Sequence, residues 1–179
     1  MTTASDRFRN LVARPPAELD AVMRRGEAPD PDALAGAEFR GANTAGWTVR
    51  LRMQQFVKGF ERRPDGRLRG YNRRVTQDGL TGAWAAPGEP FAFFEVREVD
   101  PTASDNRYSH ALLLDYGAGG SRWFDPSRPI RDYLVRVEPG SDELLLGRAF
   151  LALGPFRPSP SFFVLEPAGQ DPGGGPPTR

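Results

Sequence analysis

The sequence contains no cysteine and only one histidine, His110, among its 179 residues. Without cysteine, disulfides, thiolate metal sites and cysteine nucleophiles are excluded. With one histidine, a multi-histidine metal site is excluded, and a Ser-His-Asp system could use no other base. The glycine-rich stretch 117–121 lacks the following helix that a phosphate loop requires, and no zinc, calcium or dinucleotide motif is present. We therefore expect neither a metal nor a cofactor.

Long apolar runs are also missing. No stretch approaches the roughly 20 apolar residues that cross a bilayer, and the first ten residues carry charges at Asp6, Arg7 and Arg9. The length of the chain fits a single domain. We expect a soluble, cytoplasmic protein with no transmembrane segment.

Lysine is nearly absent, because 23 of the 24 basic residues are arginine and the only lysine is Lys58. A GC-rich genome explains this bias, and so does a demand for the planar, bidentate contacts that guanidinium groups make. Ten basic and two acidic side chains lie between Arg40 and Arg74, which gives this segment a net charge of +8 in a chain of net charge +1. Such an asymmetry would steer an anionic ligand or surface toward the segment.

Most of the chain has the pattern of short strands separated by turns. Aromatic, β-branched and alternating apolar residues recur at roughly ten-residue spacing, and the separators are rich in Gly, Pro and Asp. The pattern predicts seven or eight strands: residues 38–42, 68–75, 91–99, 110–116, 130–137, 144–153 and 161–165, with 57–62 as the candidate for the eighth. No helical pattern separates the later strands, so an antiparallel sandwich or barrel is expected and an alternating α/β sheet is excluded.

Helices are predicted at two places. Pro15 and Pro16 precede apolar residues at helical spacing, and Gly26 ends the pattern, so residues 17–25 are predicted to form a helix. Residues 45–55 have near-helical spacing behind Thr44, although a strand over 48–53 is a competing interpretation. We expect a helical extension over 1–33, a β domain over 34–166 and a disordered tail over 167–179, where glycine and proline dominate.

The segment that opens the β domain resembles the first strand of lipocalin-like (calycin) barrels. Residues 34–41 read Leu-Ala-Gly-Ala-Glu-Phe-Arg-Gly, with Phe39 in the place of the usual tryptophan between two glycines. A short helix and a run of antiparallel strands follow, as in that family. The resemblance implies a mainly β protein built as a single closed antiparallel barrel, with an N-terminal helix and a short helix after the first strand. The interior of such a barrel can admit one small apolar molecule.

The resemblance implies that a ligand cavity is lined by one face of the strands, and the alternation of side chains along the strands sorts the candidates. Arg148 shares a strand face with Leu144, Leu146 and Phe150. It either points outward on a half-covered strand or is an interior guanidinium, which would be paired with a carboxylate such as Asp115 or Asp132 or would meet an anionic ligand. The pattern does not show which face of the strands points inward. The predicted ligand-binding set is Trp47, Arg50, Phe93, Leu112, Leu114, Arg148 and Phe150, with Phe91 and Phe162 as further wall candidates.

Three residues are candidates for acid-base chemistry: His110, Asp115 and Tyr71. His110 begins an apolar strand, where a histidine is more often bonded to backbone than to a ligand. The functional alternatives are a general acid or base and an axial haem ligand.

The leading hypothesis for function is the binding of a small apolar or amphipathic molecule, with an anionic group met by Arg148 or by the basic segment. The alternative is a cyclase, isomerase or lyase that uses acid-base residues in the same cavity. The third hypothesis is docking of residues 40–74 to an anionic surface, where Phe56, Phe60 and Tyr71 are interleaved with the basic side chains.

Overall fold

The computed structural model describes residues 3–44, 54–82, 84–85, 87–103, 106–120, 124–153, 158 and 161–169. Within these ranges the chain forms eight strands. They are β1 (Glu38–Asn43), β2 (Gln55–Arg62), β3 (Leu68–Arg74), β4 (Phe91–Glu98), β5 (Leu112–Asp115), β6 (Ile130–Glu138), β7 (Ser141–Leu151) and β8 (Phe162–Pro167). Each corresponds to one strand that the sequence predicts.

The strands form a closed antiparallel barrel in chain order. Every strand pairs with the next one, and β1 also pairs with β8, so the sheet has no free edge. Gly41 of β1 shows this closure, because it lies opposite Phe56 of β2 on one side and opposite Leu165 of β8 on the other. The predicted mainly β fold with a single antiparallel barrel is confirmed.

The two ends of the barrel differ. Strands β1, β3, β5 and β7 end, and β2, β4, β6 and β8 begin, at one end of the barrel, which we call the long-loop end. The opposite end is covered by the short helix α3 (Pro31–Leu34). Leu34 is fully buried in the interior apolar cluster, and the backbone N–H of Gly36 donates to the Phe60 carbonyl oxygen at 2.9 Å. The end opposite the long loops is therefore plugged by the chain itself.

Two further helices, α1 (Asp6–Val12) and α2 (Pro16–Arg25), pack on the outside of the barrel. Ser5 caps α1 by accepting a hydrogen bond from the N–H of Phe8, and Pro16 is the first residue of α2. Buried apolar residues of both helices meet the outer faces of β6, β7 and β8. Among the described residues, no helix has the length and apolar character to cross a membrane.

The predicted single N-terminal helix over 17–25 corresponds to α2, but α1 and α3 were not expected. The sequence pattern predicted no helix between Gly26 and β1, whereas Pro31 starts α3, with Asp30 as its cap. The predicted helix over 45–55 lies outside the described residues, except that Gln55 belongs to β2. The predicted disordered tail also lies outside them, apart from residues 167–169, where the N–H of Ala168 donates to the Glu38 carbonyl oxygen.

Two apolar cores lie on the two faces of the sheet. Leu112, Leu114 and Leu145 point into the barrel, whereas Leu144 and Leu146 point outward and pack with the helices. Strands β5 to β8 are therefore covered on both faces, which explains why their sequences are nearly continuous apolar runs.

Glycines on the inner face allow the aromatic rings to fill the barrel. A Cβ atom added at Gly41, Gly70 or Gly147 would overlap the ring of Phe56, Phe94 or Phe163, respectively. These three glycines are therefore required by the close approach of a ring from a neighbouring strand. The barrel interior is closely packed with side chains in this conformation.

We predict that Gly147→Ala lowers the free energy of unfolding by about 1–3 kcal/mol, because the new methyl group overpacks the interior against Phe163. Gly88→Ala is the matched control, since its Cβ would lie 3.7 Å from the Arg74 carbonyl oxygen, an ordinary contact. Urea unfolding of both variants measures the difference. Equal stability of the two variants would contradict the close packing of β7 against β8.

Candidate functional site

A cluster of four polar side chains lies inside the barrel: Lys58, Asn72, Tyr116 and Asp132, here called the interior polar cluster. The Lys58 ammonium donates to the Tyr116 hydroxyl at 2.7 Å and lies 3.5 Å from Asp132 Oδ2. The Tyr116 hydroxyl in turn donates to Asp132 Oδ2 at 3.1 Å, and Asn72 Nδ2 donates to the Tyr116 hydroxyl at 3.2 Å. The Tyr116 hydroxyl is thus the shared atom of the network.

Strand alternation places these side chains together. Lys58 lies between Phe56 and Phe60 on the inner face of β2. Tyr116 directly follows β5, and Asp132 is near the start of β6, so both belong to the long-loop end of their strands.

An irregularity in β4 completes the positioning of Asn72. The register between β3 and β4 shifts between Gly70 and Asn72, and Ala92 adopts a left-handed backbone conformation with φ of 47°. The Ala92 carbonyl oxygen accepts a hydrogen bond from Asn72 Nδ2 at 3.2 Å. A bulge that re-aims a backbone group next to a buried polar cluster is a feature often found beside functional sites.

Aromatic rings surround the Lys58 ammonium. Its Nζ lies 4.5 Å from the ring centroid of Phe94, 5.1 Å from Phe163, 5.3 Å from Tyr116 and 5.7 Å from Phe56. Distances of this size allow cation–π attraction, which is strongest in surroundings that exclude water. Lys58 is 1% exposed, so the only lysine of the chain is enclosed by the barrel.

Burial shifts the proton affinities of all three ionisable groups. Desolvation lowers the pKa of Lys58 and raises that of Asp132, and in each case the charge of the other group opposes the shift. Burial, followed by the nearby charge of Asp132, holds the pKa of Tyr116 well above its ordinary value. Among the described residues, Asp132 Oδ1 is buried and has no hydrogen-bond partner. The cluster therefore contains a basic amine, an acid and one unused acceptor.

Three apolar residues lie toward the long-loop end of the cluster. Phe56, Phe91 and Ile130 pack against the interior core but are only partly buried. They occupy the first or second position of β2, β4 and β6, all at the long-loop end. A path from that end to Lys58 would pass these side chains.

Arg148, the predicted ligand-binding arginine, lies on the outer face of the barrel. It pairs with Asp20 of α2 and donates to the Tyr108 hydroxyl at 2.5 Å. Its guanidinium also lies over the rings of Phe150 and Phe162, at 5.1 and 4.7 Å. Of the two placements that the sequence left open, the outward one is observed. The partner is Asp20 and not Asp115 or Asp132, because the sequence pattern gives no sign that a helix covers this face of β7.

The predicted acid-base residues do not converge. His110 is exposed, and its Nε2–H donates to the Met23 carbonyl oxygen at 3.0 Å. Asp115 is buried and pairs with Arg97 and Arg131. The Tyr71 hydroxyl donates to Glu38 Oε1 at 2.9 Å. All three lie on or outside the outer face of the barrel, each in its own set of contacts, whereas the interior acid-base groups are those of the interior polar cluster.

The predicted wall residues divide between the faces. Leu112, Leu114 and Phe91 belong to the interior core. Phe150 and Phe162 belong to the outer core under the helices, and Phe93 lies outside as well, edge-on to Tyr71 and under the Arg69 guanidinium. Trp47 and Arg50 lie outside the described residues.

The basic segment is largely neutralised by acids from the rest of the chain. The described pairs that it forms with carboxylates outside residues 40–74 are Arg40 with Glu166, Lys58 with Asp132, Arg62 with Asp32, Arg67 with Glu95, and Arg73 with Glu38. A cleft lined in part by Arg63, Arg67 and Arg69 has a volume of about 10 Å³, the space of a single water. The described pairs therefore offset much of the +8 charge of this segment, and Arg50 and Arg52 lie outside the described residues.

Sequence reasoning did not identify the interior polar cluster as a site, although it named Lys58 and Asp132 in other roles. A signal was available, because Lys58 is the only lysine and shares a strand face with Phe56 and Phe60. A charge at the centre of an otherwise aromatic face requires a buried partner. The partner comes from β6, opposite in the barrel, and no local pattern specifies it.

In the comparisons, no family model matches the chain, and no curated protein or solved structure shows significant similarity to it. The closed barrel of eight antiparallel strands is compatible with a lipocalin-like fold. Among the described residues, no group of three or more histidine, aspartate or glutamate side chains is arranged to hold a metal ion.

We predict that Lys58→Met lowers the free energy of unfolding by about 3–5 kcal/mol, because it leaves the Asp132 carboxyl buried without its cation. The double variant Lys58→Met/Asp132→Asn should recover most of this loss, since both charges are then removed. Urea unfolding at neutral pH measures the two values. A single variant as stable as the wild type would show that Lys58 is not enclosed.

A second prediction concerns acid stability and the attachment of α2. Although desolvation raises the pKa of Asp20, hydrogen bonds from Arg24 and Tyr108 and the charge of Arg148 outweigh it and lower the pKa. Because the folded value lies below the unfolded one, Asp20 stabilises the fold above about pH 4 and loses this effect as the pH falls through the folded value.

Asp20→Asn should therefore lower the midpoint of urea unfolding at pH 7 and flatten its decline between about pH 5 and pH 3. Glu89→Gln, at an exposed carboxylate, is the control and should leave the profile unchanged. If Asp20→Asn shows the same acid slope as the wild type, Asp20 does not hold α2 on the barrel through Arg148 and Tyr108.

Proposed function

We propose that this barrel binds a small apolar or amphipathic molecule, and that the polar end of the molecule meets the interior polar cluster. One observation carries the proposal: Asp132 Oδ1 is buried beside Lys58 and Tyr116 without a hydrogen-bond partner among the described residues. An unsatisfied buried acceptor costs about 1–3 kcal/mol, and proteins retain few of them. A ligand hydroxyl or carboxylic acid would satisfy this acceptor.

The surroundings of the cluster favour a ligand that is otherwise apolar. Phe56, Phe94 and Phe163 present their rings around the Lys58 ammonium, and the layer beyond them consists of leucine and phenylalanine side chains. A ligand with several polar groups would leave most of them unpaired in these surroundings, at a large loss of affinity. A single polar group on an aliphatic or aromatic body fits the site best.

Binding requires side chains to move, because the interior is closely packed. Eight-stranded barrels have an interior that either is filled by side chains or holds one small ligand. The end opposite the long loops is plugged by Leu34, whereas Phe56, Phe91 and Ile130 at the long-loop end are only partly buried. We infer that the ligand enters at the long-loop end and displaces these three side chains.

An anionic group of the ligand would meet Lys58 and not Arg148. Arg148 lies on the outer face and is engaged with Asp20 and Tyr108. Lys58 belongs to the basic segment, and its side chain lies inside the barrel at the cluster, where it pairs with Asp132. A carboxylate ligand would compete with Asp132 for Lys58, so a hydroxyl or a protonated carboxyl group is the better match.

The test is calorimetric titration of the full chain with decanol, decanoate and decylammonium. We expect decanol to bind most tightly, because it can donate to Asp132 Oδ1 without adding a charge to the site. Asp132→Asn should weaken decanol binding about tenfold or more, since a hydrogen bond to a charged group contributes about 1.5–3 kcal/mol. Asp142→Asn, at a carboxylate that pairs with Arg136 near the turn between β6 and β7, is the matched control and should bind as the wild type does.

Failure of all three compounds to bind would contradict the proposed function. So would equal affinity of the wild type and Asp132→Asn, because binding would then take place elsewhere. Binding of decanoate alone, with a steep dependence on salt, would instead favour an exposed basic surface.

A further inference from the structure

The only lysine of the chain is also the only side-chain primary amine, and the barrel holds it next to an acid. Lys58 Nζ lies 2.7 Å from the Tyr116 hydroxyl and 3.5 Å from Asp132 Oδ2, inside a wall of aromatic rings. We propose that Lys58 captures a carbonyl compound, an apolar aldehyde or ketone, as a Schiff base inside the barrel. This proposal rests on the proposed function, because the carbonyl compound would occupy the same interior site.

The surroundings of Lys58 suit a nucleophilic amine. An amine attacks a carbonyl group only in its unprotonated form, and ordinary exposed lysines are almost fully protonated at neutral pH. Lys58 is 1% exposed, and desolvation lowers its pKa. The aromatic wall also excludes water, which would otherwise hydrolyse the product.

Asp132 is placed to supply the proton that the reaction needs. Burial lowers the pKa of Lys58 and raises that of Asp132, so a proton of the Lys58 ammonium can pass to the Asp132 carboxylate and leave the free amine beside the acid. Asp132 Oδ1 has no hydrogen-bond partner among the described residues. The Tyr116 hydroxyl accepts a hydrogen bond from Lys58 Nζ and donates one to Asp132 Oδ2, so it orients the amine and the acid toward each other.

The reaction balances without an oxidant or a reductant. The lone pair of Lys58 Nζ forms a bond to the carbonyl carbon, and the carbonyl oxygen takes one proton from the Asp132 carboxyl group and one from Nζ. The carbon–oxygen bond then breaks and one water leaves. The products are a protonated Schiff base on Lys58 and the Asp132 carboxylate, which stays beside it as the counter-ion. The reverse reaction with water releases the carbonyl compound.

A Schiff base would change the charges and hydrogen bonds of the interior polar cluster. In the structure, Lys58 Nζ and Asp132 Oδ2 are 3.5 Å apart, and Asp132 Oδ1 has no hydrogen-bond partner among the described residues. After capture, the positive charge lies on the iminium nitrogen, which carries a single N–H donor to Asp132, and the apolar body of the ligand replaces the displaced side chains. The class of ligand follows from this chemistry: one aldehyde or ketone group on an apolar body small enough for the barrel.

The experiment is reductive trapping of the native chain with decanal and sodium cyanoborohydride at neutral pH. Intact mass measurement should show one adduct, and tryptic mapping should place it on Lys58. Trypsin no longer cleaves after an alkylated lysine, so the peptides 53–58 and 59–62 should be replaced by one modified peptide, 53–62. The amino group of Met1 is the only other primary amine, and mapping separates it from Lys58.

Three controls define the result. The urea-unfolded chain should label at both amines, which shows that the reagents work on each. The double variant Lys58→Met/Asp132→Asn, in which both charges of the pair are removed, should lose the interior adduct and label only at Met1. Asp132→Asn alone should label Lys58 at least tenfold more slowly at saturating decanal, because the proton donor is missing.

Labelling of Met1 alone in the native chain would overturn the proposal, and so would labelling of Lys58 no faster than that of free Nα-acetyl-lysine amide. Calorimetry with decanol separates this result from a failure of the proposed function, since decanol cannot form a Schiff base. Decanol binding without a Lys58 adduct contradicts carbonyl capture but leaves small-molecule binding intact. Absence of both contradicts both.

Discussion

A single ammonium group enclosed in an aromatic barrel is the constraint on which the rest of the interior depends. Lys58 cannot remain buried unless another group compensates its charge, and the compensation comes from Asp132, four strands away around the barrel. Only closure of the sheet brings these two residues within 3.5 Å of each other. The same closure places Tyr116 and Asn72 where they complete the network. The polar cluster and the barrel therefore depend on each other.

The outer face of the barrel is stabilised by different interactions. Helices α1 and α2 cover its apolar residues, and arginines pair there with carboxylates that are distant in the sequence, as Arg148 does with Asp20 and Arg40 with Glu166. The first pair fixes α2 to the barrel, and the second neutralises part of the charge of the basic segment. These outer arginines thus stabilise the fold, whereas the single lysine lies in the interior.

The sequence was sufficient for the architecture because strand patterns are local. Runs of alternating or apolar residues bounded by turn residues predicted seven or eight strands, and eight are present among the described residues. The face assignments were not local: nothing in β7 shows whether Leu145 or Leu146 points inward until the helices are placed. For that reason the sequence left the direction of Arg148 open and did not indicate its partner Asp20. The interior polar cluster was missed because its members come from β2, β3, β6 and the residue after β5. The only local sign of the interior polar cluster in the sequence was a single lysine between two phenylalanines on one strand face.

The most direct test of this account is the NMR spectrum of the chain labelled with ¹⁵N only at lysine, which contains the side-chain signal of Lys58 alone. The structure predicts an Nζ signal that exchanges slowly with water, because Lys58 is 1% exposed. It also predicts titration with a pKa below the ordinary lysine value, because burial disfavours the charged form. A signal that exchanges rapidly and titrates as free lysine does would place Lys58 in solvent and contradict the enclosed polar cluster.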